Sequence, residues 1–117
     1  MSDDCERIEK VWGNSRCIFK SDTSTTHLVN IKRGGYCSEH CHAKMTNRFV
    51  ILSGKINVTV YRNNIPINNL LTESEIFDVS PDIYHRFEAL EDSVIIEIYE
   101  DKIDKNDIIR RTESGLF

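Results

Sequence analysis

No stretch of the sequence approaches the roughly 20 consecutive apolar residues that a membrane-spanning helix needs. The first residues, Met1-Ser2-Asp3-Asp4-Cys5-Glu6, are acidic, where a secretory leader would be basic and then apolar. A cytoplasmic protein with no membrane partner is therefore expected. An excess of basic charge is also missing: 15 Lys and Arg stand against 19 Asp and Glu, for a net charge of −4. Nucleic-acid affinity leans on clustered cations that neutralise phosphates, and here the cations are scattered among acids. Nucleic acid is thus excluded as a partner. The four cysteines, Cys5, Cys17, Cys37 and Cys41, are irregularly spaced and make no disulfide framework. In a reducing compartment they are expected as free thiols. Proline is nearly absent, with Pro66 and Pro81 alone, and no linker, repeat or low-complexity stretch divides the chain. Its 117 residues read as one domain, long enough to bury a core of its own.

What the chain does have is short apolar runs with period-two alternation. Ile56, Val58 and Val60 alternate with Lys55, Asn57, Thr59 and Tyr61, as in a strand with one buried face. The same reading predicts strands over Arg16–Lys20, His27–Lys32, Asn47–Leu52, Lys55–Tyr61, Ile65–Leu70, Ile76–Val79, His85–Ala89 and Val94–Glu100. Ser53-Gly54 and Arg62-Asn63-Asn64 supply hairpin turns, because Gly and Asn tolerate a positive φ. No helical period is sustained between Arg16 and Glu100. Beyond them, Asp104 to Arg110 reads as one or two helical turns capped by Asp104. About eight short strands suit a sandwich, a jelly roll or a small barrel, and pattern alone does not choose among them.

Histidine carries the chemistry. His40 and His42 sit two apart, so in an extended segment both imidazoles share one face. Two converging imidazoles make half of a metal site. His85 follows a Ser80-Pro81-Asp82 turn at the start of another strand, and a closed sheet would bring it opposite the pair. His27 has no partner pattern and reads as structural. Cys37 and Cys41 with the histidine pair also allow a zinc knot, although no second ligand pair lies downstream.

The run Gly34, five residues, His40-Cys41-His42, four residues, Asn47, six residues, Gly54 resembles the first motif of the cupin superfamily. A Glu is usual there where this chain has Asn47. Residues 72 to 86, ending in Ser80-Pro81-Asp82-Ile83-Tyr84-His85-Arg86, resemble the second motif. Asp82 stands in them for the usual Gly, and Ala89 for a following Asn. The resemblance implies an all-β fold, the double-stranded β-helix or jelly-roll barrel. Its core would cover about residues 11–100, with 101–117 as a C-terminal extension that carries the short helical turn. It also implies one divalent transition metal, Zn, Mn, Fe, Ni or Co, on His40, His42 and His85, with the Asn47 carbonyl oxygen in the fourth place.

Shorter phrases resemble the isomerase domain of type II phosphomannose isomerases, which many bacteria fuse behind a mannose-1-phosphate guanylyltransferase. They are Val11-Trp12-Gly13, Leu71-Thr72-Glu73, His85-Arg86-Phe87-Glu88, Ile96-Glu97 and Asp107-Ile108-Ile109-Arg110. This resemblance implies metal-assisted exchange of mannose 6-phosphate with fructose 6-phosphate. Two departures accompany it: Met45 replaces a usual Arg, and Ser114-Gly115-Leu116-Phe117 replaces a terminal Tyr-Gly-Arg.

Such an exchange needs a base to carry a proton between adjacent carbons and a positive group for a phosphate. Glu97, on the last long strand, is the candidate base; Glu39 has the wrong parity relative to His40. Lys44 and Arg86 are the candidate substrate-binding cations, although strand alternation turns Arg86 outward. Two other readings stay open: a three-histidine non-haem dioxygenase and a non-catalytic sugar-binding cupin. Sheet edges need cover, so a homodimer is expected. Val11-Trp12 would serve as an exchanged strand or as plain core packing.

Overall fold

Within residues 7–101 and 107–117, which the computed structural model describes, thirteen strands form two antiparallel sheets. In chain order they are β1 (Arg7–Lys10), β2 (Gly13–Lys20), β3 (Ser24–Ile31), β4 (Gly35–Tyr36), β5 (His40–Cys41) and β6 (Met45–Ser53). Then follow β7 (Lys55–Arg62), β8 (Ile65–Thr72), β9 (Ile76–Val79), β10 (Tyr84–Ala89), β11 (Ser93–Asp101), β12 (Ile109–Arg110) and β13 (Gly115–Leu116). One sheet runs β1-β2-β3-β11-β6-β9. In the other, β8 pairs β7 and β7 pairs β10. The far edge of β10 is bordered by β4 and β5, which are flanked in turn by β13 and β12.

Every strand expected from alternation forms. The inward residues of both sheets meet in one core around Val29, Ile31, Phe49, Ile51, Val58 and Ile95, each at most 2% exposed. Burying each such side chain stabilises the fold by about 1.5–3 kcal/mol before chain entropy is counted. Trp12 packs edge-on against Phe87 in the same core, with ring centroids 5.1 Å apart.

The turns follow their chemistry. Gly54 has φ 92°, and a Cβ there would stand 2.6 Å from the Asp92 carbonyl oxygen. Asn63 and Asn64 both have positive φ, 53° and 63°, closing the two-residue hairpin between Arg62 and Ile65. Asp82, in the place of a usual Gly, holds φ 64° and donates its backbone N–H to the His42 carbonyl at 2.7 Å. The turn before β10 is thereby docked onto the histidine segment.

The C-terminal extension differs from expectation. Of the helical turn read over 104–110, residues 104–106 lie outside the described residues, and Ile109–Arg110 is a strand paired with β5. A single helical turn is costly to nucleate, whereas the open edge of β5 offers ready backbone partners. No helix occurs among the described residues, so none is long and apolar enough to cross a membrane.

Candidate metal centre

His40 lies on β5, His42 two residues on, and His85 on β10 directly opposite His40 in the ladder. Opposed residues of an antiparallel pair share a face, and so do residues two apart. The three imidazoles therefore meet inside the barrel. Their ring centroids lie 4.6 Å (His40 to His85), 5.1 Å (His40 to His42) and 5.6 Å (His42 to His85) apart. One ring nitrogen from each falls within 4.8 Å of the others.

The backbone decides which nitrogen that is. His40 Nδ1 donates to the Ser38 carbonyl at 2.7 Å, His42 Nδ1 to the Asp107 carbonyl at 2.6 Å, and His85 Nδ1 to the Ile83 carbonyl at 2.9 Å. A carbonyl only accepts, so each Nδ1 carries the proton and each Nε2 presents a lone pair. His42 Nε2 is buried with no hydrogen-bond partner. Desolvation pushes all three imidazoles toward neutrality, His40 down to about 3 and His85 to about 4. For His40 the neighbouring histidines add to the effect.

Asn47, on β6 and 1% exposed, completes the floor. Its Oδ1 stands 3.3 Å from His85 Nε2, so two acceptors face one another. A cation between them resolves that opposition. The amide is oriented from behind: Asn47 Nδ2 donates to Glu97 Oε2 at 3.4 Å, and Tyr99 donates its hydroxyl proton to the same oxygen at 2.6 Å. Burial raises the Glu97 carboxyl, while Tyr99 and Asn47 pull it partly back. Three neutral imidazole nitrogens and one amide oxygen suit a divalent transition metal. The residues present fit the ion.

Above this floor opens a cavity of about 990 Å³ with apolar walls from Trp12, Met45, Phe49 and Phe87. His40, His42, Asn47, Glu97 and Tyr99 also line it, as do Lys10 and Arg110. Pockets for small organic ligands run from about 300 to 1,000 Å³.

No protein-family model matches the sequence, and no curated protein matches it. Solved structures do match in shape. Oxalate decarboxylase from Bacillus subtilis superposes with a TM-score of 0.81 at 16% identity, over 92% of this chain and 30% of that one. CapF, a capsular polysaccharide assembling protein from Staphylococcus aureus, gives 0.81 at 20% identity, over 92% of this chain and 31% of that one. The fold is that of a cupin. The chain spans about a third of the length of these two proteins. The Bacillus subtilis oxalate decarboxylase has Mn(II) centres.

The cupin barrel brings together His40, His42, His85, Asn47 and Glu97. The two expected substrate cations are not part of this assembly. Lys44 is exposed on the β5–β6 connection, where its backbone N–H donates to Asp107 Oδ2 at 2.8 Å. Arg86 lies 4.7 Å above the Tyr36 ring and pairs with Glu88 at 3.5 Å. Alternation on β10 explains this, because His85 and Phe87 turn inward and Arg86 outward. The zinc knot also fails, since Cys41 interacts with Tyr84 and Cys37 Sγ accepts the Phe87 N–H at 3.2 Å. Cys17, Cys37 and Cys41 are free buried thiols, and Cys5 lies outside the described residues. Sequence reading missed Tyr99, Asp107 and Arg110. Tyr99 had a visible signal: it falls two after Glu97, on the same strand face.

Proposed function

We propose that this cupin is a metal-dependent enzyme that moves a proton on a small oxygenated substrate, in the manner of an aldose–ketose isomerase. One observation carries the reading: Glu97, a buried carboxyl with raised proton affinity, faces the cavity beside the histidine cluster. Carboxyls shifted toward neutral pH are suited to proton transfer. A divalent ion on the three histidines would polarise a substrate oxygen. Glu97 would take the proton from the carbon beside the carbonyl and return it to the former carbonyl carbon, while the hydroxyl proton passes from the oxygen of the first carbon to that of the second. Tyr99 donates its hydroxyl proton to the Glu97 carboxylate, the form that starts the first transfer and is restored by the second, and the apolar walls keep water from competing for the proton. The Mn(II) centres of the similarly folded decarboxylase support Mn as the first metal to try.

A coupled assay of fructose 6-phosphate formation from mannose 6-phosphate, run with Mn, Zn, Fe, Ni and Co in turn, tests this. Turnover is expected with at least one metal, and Glu97→Gln should lower it by about 100-fold or more with metal content unchanged. No turnover above the metal-free control overturns the isomerase reading. The donor set itself favours a second reading. With Asn47 in place of a carboxylate the ligands are neutral, as in three-histidine thiol dioxygenases. Oxygen uptake by the iron-loaded protein with cysteine as substrate distinguishes the two.

A further inference from the structure

Arg110 stands opposite His40 in the β12–β5 ladder, so its side chain extends over the face on which His40 points into the cavity. It lines that cavity, and its charge is felt at His40, His42 and Tyr99. No carboxylate among the described residues forms an ion pair with it. The next residue shows the contrast. Arg111 turns to the opposite face, where it bridges Glu39 at 2.5 Å and stacks 3.6 Å from the Tyr84 ring centroid.

The backbone that carries Arg110 is fixed on both sides. Asp107 accepts the Ala43 N–H at 2.6 Å and the Lys44 N–H at 2.8 Å, so its carboxylate is already engaged. On the other side, the Arg111 N–H donates to the Glu39 carbonyl at 2.7 Å, and the Glu39 N–H donates to Thr112 Oγ1 at 2.9 Å. Lys10 and Lys20 line the same cavity, with Glu113 as an exposed acid at its rim. Of the acids in the same lining, Asp107 is engaged by backbone N–H groups and Glu97 by Tyr99 and Asn47.

We propose that Arg110 is the anion-recognition residue of this cavity, and that the ligand is a small molecule bearing a carboxylate or phosphate. This rests on reading the cavity as a ligand site, and it assigns to the C-terminal extension the role that Lys44 and Arg86 do not fill. A guanidinium matches both oxyanions in a bidentate fork, which an ammonium does not.

The test is calorimetric titration of the metal-loaded protein with inorganic phosphate and, separately, with succinate. Wild type should bind at least one, and the better of the two says which oxyanion the site prefers. Arg110→Gln should weaken that binding by about tenfold or more, Arg110→Lys should restore part of it, and Arg48→Gln should stay within twofold of wild type. Arg48 serves as the control because it pairs with Asp78 on the outer surface. Wild type binding neither anion, or Arg110→Gln binding within twofold of wild type, overturns the proposal. Elemental analysis of each sample separates this result from a failure of the metal centre. If no metal is present, the same titration on the metal-free protein decides.

Discussion

Each histidine of the cluster commits its Nδ1–H to a backbone carbonyl, which leaves three Nε2 lone pairs crowded in a buried space. In the metal-free protein this arrangement makes stability depend on pH, with a definite sign. The unfolded chain protonates its histidines near pH 6.5, whereas folded His40 and His85 resist protonation down to about 3 and about 4. Between those values the unfolded state holds more protons. Stability is therefore full above about pH 6.5 and falls as pH drops toward 4. Urea midpoints of the metal-free protein at pH 7.5, 5.5 and 4.5 measure this. A His40→Gln/His85→Gln variant should show a shallower fall, and an equal fall in both proteins would contradict the account. The His40–His42 pair was legible in the sequence because its spacing is a property of one extended segment, whereas His85 and Asn47, on other strands, were placed by the resemblance to the cupin motifs. Arg110 and the Asp107 carbonyl were not legible, since their place depends on which edge the C-terminal extension closes.

At the scale of elements, strand periodicity was informative wherever a strand was long enough to alternate. β7 and β11 show this, with Ile56, Val58 and Val60 inward on the first, Ser93, Ile95 and Glu97 inward on the second, and both boundaries within two residues of expectation. β4, β5, β12 and β13 have two residues each, and two residues have no period. Their pairing is set by the long β10 and by the C-terminal extension. The same long strands bear the load of the site. Phe49, on β6, is 1% exposed and its ring centroid lies 6.2 Å from that of His85 and 6.4 Å from that of Phe87. Phe49→Ala should cost about 3–5 kcal/mol in denaturant unfolding, because the cavity it leaves lies between rigid strands. A loss under about 1 kcal/mol would mean that the core collapses around the gap.

For the molecule as a whole, the two sheets and the C-terminal extension give one cavity a metal-suited floor, apolar walls and Arg110 at its edge. The resemblance to the cupin motifs foresaw the barrel and its histidine floor, while the reading of the residues put the substrate cations on Lys44 and Arg86. Alternation on β10 turns Arg86 outward and Lys44 is exposed on the β5–β6 connection, so neither lines the cavity. The isomerase reading of the cavity depends on the ion. The most direct test is elemental analysis of the purified protein beside a His40→Ala/His42→Ala variant, after equal exposure to Mn, Fe, Co, Ni and Zn. The account predicts about one ion per wild-type chain and a small fraction of that in the variant, since a lone imidazole does not make a site. Equal metal content in the two proteins would contradict it.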